Sequence, residues 1–205
     1  MRRKDEVAVD RILACAKEEF MEKGFEGASM RAIAERAGYS TGMLYGRFAD
    51  KSELFRELVE PAAQELLDYF SAVEDAFAAY PPERQHREMH SYVGDKVDEM
   101  IDRIYADIDC FRLILTKSAG SGYEYYLDKM IDIETRNTIR FIDALNAAGI
   151  RVNEVRADLS HMLSSAMING IFEAVAHDFP KEEARGYIKQ VEAFFNAGWD
   201  KLLGL

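Results

Sequence analysis

The sequence predicts an all-α protein, and three observations carry that reading. Apolar residues recur at three- and four-residue steps through most of the 205-residue chain, the spacing that gathers them on one face of a helix. The four prolines, Pro61, Pro81, Pro82 and Pro180, leave long windows in which a helix can grow without a missing N–H or a ring clash. No stretch sustains the period-two alternation of a half-buried strand. With 48% apolar residues the chain has enough to fill a core.

The elements follow in order. Ile12, Leu13, Ala16 and Phe20 mark a first helix. Ser29 caps a two-turn helix Met30–Ala37, and Gly38 takes the left-handed conformation that ends it. Tyr39 and Ser40 make a turn, and Ser40 caps a second short helix over Thr41–Phe48. Leu44 and Phe48 lie one turn apart on the face toward Ile33 and Phe20, and Thr41, Tyr45 and Arg47 take the other face. Asp50 with Glu53, and Ser121 with Glu124, have the spacing at which a side-chain oxygen and a carboxylate satisfy each other's open N–H groups. Helices are therefore expected after Asp50 and after Ser121. A stripe through Val93, Val97, Met100, Ile104 and Ile108 and another through Leu127, Met130, Ile131, Phe141, Ile142 and Leu145 give further helices. Pro81-Pro82, the stretch 118–122, Gly149 and Phe179-Pro180 separate them.

Gly24, Gly27, Gly38, Gly42 and Gly46 crowd a short stretch near the N-terminus, and long helices resume after Asp50. The chain thus divides into a head, residues 1–50, and a larger helical body, residues 51–205. Two short helices joined by a glycine-containing turn, with a longer helix in front, read as a helix-turn-helix whose second helix enters the major groove. Gly42 and Gly46 inside that helix each cost about 1 kcal/mol relative to alanine, a local penalty that close approach to a duplex explains better than stability does.

Ile12-Leu13 through Phe20, Gly24-Phe25, Ser29, Ile33-Ala34, Ala37-Gly38 and the run Ser40-Thr41-Gly42-Met43-Leu44-Tyr45-Gly46-Arg47-Phe48, with Lys51 and Leu54, resemble the DNA-binding head of the TetR family of transcriptional repressors. The resemblance covers roughly residues 8 to 56; the remainder matches only in outline. It implies that Ser29, Arg31, Tyr45 and Lys51 hold phosphates, and that Ser40, Thr41, Gly42, Met43 and Gly46 face the groove. Arg47 stands where the family commonly has histidine, which implies a phosphate or guanine contact there. The chemistry of the residues agrees: Lys and Arg supply charge, hydroxyls and helix N-termini bind phosphate oxygens, and the Thr41 methyl and Met43 suit a thymine methyl. Arg2, Arg3 and Lys4 read as a frayed basic tail, with an arm toward a phosphate or the minor groove as the alternative.

So short a recognition helix spans few base pairs, and two-fold dimers on half-sites about one helical turn apart are the usual remedy. The run Met162 to Phe172 is apolar nearly all round, and Val191, Phe194, Phe195 and Trp199 stripe the last helix. A four-helix dimer interface is expected from Met162, Ala166, Gly170, Val191, Phe194, Phe195 and Trp199; a plain subunit core is the alternative for any one of them. The resemblance points to the same dimer and to an effector held in the body. Extending the stripe of Leu127 and Met130 by helical steps reaches Glu134, then Thr138, before Phe141. A carboxylate among apolar neighbours is paired inside, turned outward, or lining a ligand cavity. In the cavity case the ligand is apolar with a cation or amine, and the candidate walls are Met100, Tyr105, Tyr126, Met130, Thr138 and Phe172, residues that also read as ordinary core.

Other chemistry finds little support. The chain shows no G-x-S-x-G, H-E-x-x-H, Walker loop or G-x-G-x-x-G, so no enzyme and no cofactor are expected. His86 and His90 are four apart without a third ligand at zinc spacing, so no metal is expected. Cys15 and Cys110 stand alone, and no stretch reaches the length of a membrane span or resembles a secretory leader; a cytoplasmic protein is expected. The formal charge of −11 argues against DNA only until it is located. Residues 1–56 hold eleven Lys or Arg against ten Asp or Glu, whereas the rest holds 15 against 27. The expected function is a homodimeric repressor that leaves a palindromic double-stranded DNA operator when an unidentified small-molecule effector enters the body. The alternative is a helical dimeric binder of small molecules or proteins whose helix-turn-helix is not used.

Overall fold

The structure, a computed structural model, describes residues 2–205, with side chains from Val7 onward. Among the described residues there are nine α-helices, one 3-10 turn and no strand. They are α1 Arg2–Gly27, α2 Met30–Ala37, α3 Thr41–Tyr45, α4 Lys51–Ala78, α5 Pro82–Ala106, α6 Ile108–Lys117, the 3-10 turn Tyr123–Tyr125, α7 Tyr126–Ala147, α8 Ala157–Ala176 and α9 Lys181–Leu203. The Arg2, Arg3 and Lys4 side chains, and with them the expected arm or tail, lie outside the described residues.

The helices pack as two compact units. One holds the chain up to Gln64 together with Ile108–Tyr126; the other holds Glu65–Asp107 with Leu127–Leu205. In the first, α1 breaks at Gly24, whose φ of 70° no side chain adopts cheaply. That break lets Phe25 turn inward, where Phe20, Phe25 and Phe55 pack with ring centroids 5.0 to 6.0 Å apart. Ile12, Ala16, Phe20, Ile33, Leu44, Leu54, Phe55 and Leu113 complete a core closed to solvent. Each large side chain buried there contributes about 1.5–3 kcal/mol, so Phe55→Ala, which also leaves a cavity, would cost about 3–5 kcal/mol.

In the second unit Phe141, Ile142, Leu145, Val152 and Leu203 form a buried cluster against which Phe77 and Trp199 pack. Gly149, at φ 84°, turns the chain after α7. Arg185 of α9 reaches Asp98 at 2.6 Å and Asp102 at 2.5 Å on α5, and Lys189 reaches Asp98 at 3.1 Å.

Four expectations are corrected. The helix expected over Thr41–Phe48 ends at Tyr45, with Gly46 as its cap, so Gly42 alone pays a mid-helix glycine penalty. The Phe48 N–H still reaches the Leu44 carbonyl at 3.0 Å, which keeps both side chains buried. Glu53 N–H does donate to Asp50 Oδ1 at 2.8 Å, but Glu53 Oε2 accepts from Ala49 N–H at 2.6 Å, one residue before the expected partner. After Ser121 the chain makes the 3-10 turn first: Gly122 sits at φ 91°, and Glu124 is occupied by the Gly120 and Gly122 N–H groups. Finally, the stripe from Val93 to Ile108 spans two helices, broken at Asp107 (φ −126°, ψ 44°) without glycine or proline to mark it.

Candidate nucleic-acid interface and effector cavity

The head is built by its caps. Ser29 Oγ accepts from the Ala32 N–H at 3.1 Å and Ser40 Oγ from the Met43 N–H at 3.2 Å. Each serine spends a lone pair on its helix and keeps its own O–H to donate outward. Between them Gly38, at φ 78°, donates to the Glu35 carbonyl at 3.1 Å while Tyr39 N–H donates to Ala34 at 2.9 Å. This double closure satisfies two open carbonyls and fixes the angle between α2 and α3.

With Leu44 and Phe48 buried, the rest of α3 points to solvent. Met43 is 37% and Tyr45 52% exposed, as are Gly42 and Gly46, with Thr41 and Arg47 half-buried beside them. Ser29, Arg31 and Ser40 are exposed as well. The structure thus brings the expected DNA-facing residues to one capped two-helix element, with a thioether and a phenol exposed where the core needs neither. Lys51 is placed differently from a bare phosphate contact. Its Nζ donates to the Glu26 carbonyl at 3.0 Å and the Ala28 carbonyl at 3.1 Å and stands 4.6 Å from the centre of the Phe25 ring. The ammonium ties down the end of α1 and retains one N–H for a phosphate. Arg36 is the opposite case: its guanidinium forms a fork with Glu22 at 2.9 and 3.0 Å, which holds the Glu22 carboxyl below its usual range.

In the second unit, α4, α5, α7, α8 and α9 enclose a cavity of about 150 Å³. An apolar engineered cavity of that size accepts benzene. Its walls include Phe70, Phe77, Tyr92, Phe141, Trp199 and Met100, and into it face Glu74 of α4, Glu134 of α7 and Glu192 of α9. The phenols are satisfied elsewhere: Tyr92 donates to the Val73 carbonyl at 3.0 Å, and Tyr69 to the Lys96 carbonyl at 3.1 Å and to Glu99 at 3.0 Å. Glu134 accepts only a long bond from Thr138 Oγ1, at 3.4 Å. Burial pushes its carboxyl up to about 7, against the smaller opposing effect of Thr138. Glu74 is pushed well above the ordinary range, first by burial and then by the charge of Glu134. Burial raises Glu192 too, with Asn196 pulling the other way.

Of the expected cavity residues, Met100, Glu134 and Thr138 line it; Tyr105, Tyr126, Met130 and Phe172 do not. Tyr105 donates to the Phe179 carbonyl and Tyr126 to the Ala63 carbonyl, each at 2.8 Å, and Met130 and Phe172 are closed core. Sequence reading missed Glu74 and Glu192. A signal existed for Glu74, which stands four residues after Phe70 and three before Phe77, on the same helical face as both.

The expected dimer stripe divides. Met162 is 66% and Phe194 73% exposed, and Ala166 is exposed beside them. Gly170 and Val191 face each other within the subunit, a Cβ on Gly170 standing 3.5 Å from Val191 Cγ1. Phe195 is half-buried, its ring 5.4 Å from that of Phe194. Trp199 leaves the stripe altogether: five residues past Phe194, it points to the opposite side of α9 and lines the cavity.

A capped helix, a left-handed glycine turn and a short exposed second helix on a shared core define the head of a helix-turn-helix DNA-binding protein. Residues 12–58 match the family model described as bacterial regulatory proteins, tetR family. It is 24% identical over 127 residues to an uncharacterized HTH-type transcriptional regulator, YfiR, of Bacillus subtilis, covering 60% of this chain and 57% of that protein. It is 31% identical over 103 residues to the HTH-type transcriptional activator FasR of Mycolicibacterium smegmatis, covering 50% of this chain and 43% of that protein. The chain spans about half the length of these curated relatives. Over 92% of its length it shares the fold of NalD, the secondary repressor of the MexAB-OprM multidrug efflux pump of Pseudomonas aeruginosa, with a TM-score of 0.60, 17% identity and 95% of that chain covered.

Proposed function

We propose that the protein is a homodimeric transcriptional repressor that holds a palindromic operator through residues 1–50 and is released when an organic cation enters residues 51–205. The observation that carries the DNA reading is the exposure of Met43 and Tyr45 on a helix whose Leu44 and following Phe48 are buried. Ser29, Arg31, Tyr45 and the remaining N–H of Lys51 take phosphates; Ser40, Thr41, Gly42, Met43 and Gly46 meet base edges, with Arg47 at a phosphate or a guanine. Met162, Ala166 and Phe194 supply the apolar face on which two copies join.

The effector class follows from the cavity. Carboxyls at Glu74, Glu134 and Glu192 repel an anionic ligand, whereas the faces of Phe77, Tyr92, Phe141 and Trp199 attract a cation carried on an apolar body. Release requires that the cation bind the DNA-incompetent state more tightly, by about 1–3 kcal/mol for ordinary couplings. The test is selection of bound genomic fragments, followed by salt titration on the selected and on a random duplex. Steep loss of affinity with salt on both, and tighter binding of the selected one, is expected. No binding to any duplex at low salt would remove the DNA reading. Reporter expression driven by the selected fragment should rise when the gene is deleted.

A further inference from the structure

Glu74 and Glu134 reach the cavity from two different helices, and among the described residues neither has an ion pair with Lys or Arg. Both carboxyls are half-buried in the wall of one cavity, and each charge there raises the cost of the other. The surrounding groups do not relieve them. Tyr69 and Asp75 on α4 are respectively hydrogen-bonded to Glu99 and repulsive toward Glu74. On α5, Tyr92 is spent on the Val73 carbonyl, and Lys96, the one lining cation among the described residues, pairs with Glu99 at 2.6 Å. On α7 only Thr138 bonds Glu134, and α9 adds a third carboxyl, Glu192, with which His90 interacts; α8 contributes Met167, Ile168 and Ile171, none of them titratable.

We propose that the Glu74–Glu134 pair is a site of proton-for-cation exchange, so that the cavity reads an organic cation and the pH together. The empty cavity keeps a proton on the pair. When a permanently charged cation enters, a carboxylic O–H bond breaks, the proton passes to a buffer base, and the carboxylate left behind pairs with the cation; charge in the cavity is conserved. Glu134, raised to about 7, and Glu74, pushed in the same direction by burial and by the charge of Glu134, move this exchange up from the acid range. The inference rests on the cationic-effector reading above and adds to it a stoichiometry and a pH slope.

The experiment is calorimetric titration of the full-length protein with benzyltrimethylammonium, which has no proton of its own to lose, in buffers of differing ionisation enthalpy. At pH 6 about one proton should be released per cation bound, and affinity should rise on the order of tenfold per pH unit between pH 5.5 and 6.5. The neutral isostere neopentylbenzene should show neither. In Glu134→Gln and Glu74→Gln proton release should fall and the pH slope should flatten; both variants remove a carboxyl from the cavity wall, and unchanged helical circular dichroism would certify their folding. Binding of the cation with heats independent of buffer and an affinity independent of pH would overturn the exchange while leaving the cationic effector standing. No binding of the cation at any pH would overturn both.

Discussion

Lys17 of α1 and Asp109 of α6 meet in an ion pair of 2.7 Å, beside the apolar packing by which these two helices already meet. The hydrogen bond lowers the Asp109 carboxyl and raises the Lys17 ammonium. The lowered carboxyl contributes stability above its ordinary value of 3.8 and loses it as pH falls through the depressed one; the raised ammonium contributes below 10.5 and loses it above. The pair therefore acts across the whole neutral range. Both side chains are about two-fifths exposed, so solvent screening holds the gain to about 0.2–1 kcal/mol. Asp109→Asn should lower the melting temperature by roughly 1–3 °C in dilute buffer, and thermal melts in 1 M salt should show little of that difference.

Arg31 and Lys51 should separate by what each loses. Arg31 is exposed at the start of α2, so Arg31→Ala should weaken binding to every duplex alike and reduce the salt slope by about one, with the melting temperature unchanged. Lys51→Ala removes the ammonium from two carbonyls and from the Phe25 ring as well, so it should lower affinity and melting temperature together. Thr41→Arg should instead change which sequence is selected. Salt titrations with paired melts decide the first two, and a footprint unchanged by Thr41→Arg would exclude that residue from the groove.

Glu134 contributes to the pH dependence of the body together with Glu74 and Glu192, whose carboxyls are raised in the same direction. Its carboxyl is raised to about 7 from 4.5, so the folded protein holds a proton that the unfolded chain gives up between those values. Stability is full below pH 4.5, falls as pH rises toward 7 and is level beyond. The total is at most about 3 kcal/mol, at 1.36 kcal/mol per pKa unit. Glu134→Gln should therefore melt several degrees above the parent at pH 8 and close to it at pH 4.5. An advantage that grew toward acid would refute the assignment.

Caps and breakers made most of the fold legible. Ser29, Gly38, Ser40, Asp50, Pro82, Gly149 and Pro180 mark the ends of helices by local hydrogen bonding or fixed dihedrals, which a sequence states directly. Asp107 breaks the helix without glycine or proline, so no residue of the sequence marks the break. In the cavity, Glu134 was legible as a carboxylate on an apolar face, whereas Glu74 and Glu192 became its neighbours only when five helices converged. Periodicity says that a residue faces inward; it does not say whether the interior there is filled, and Met130 and Phe172 fell on the filled side.

The same limit of periodicity gives the sharpest test of assembly. Phe194 and Trp199 are both large aromatics on α9 that the sequence sets in one stripe, yet at 100° per residue five steps carry Trp199 to the far side of the helix. Phe194 is 73% exposed, while Trp199 packs on the cluster of Phe141, Ile142 and Leu203. Phe194→Asp places a charge where two apolar faces would meet and removes, inside the subunit, only the edge-on ring contact with Phe195. It should yield monomers by sedimentation with an unchanged melting profile at high dilution, and operator affinity should fall 10²- to 10⁴-fold as the second head loses its effective concentration. Trp199→Ala removes packing against that cluster and should lower the melting temperature while the protein still sediments as a dimer. If Phe194→Asp sedimented as a dimer, the joint between copies would lie elsewhere than on Met162, Ala166 and Phe194.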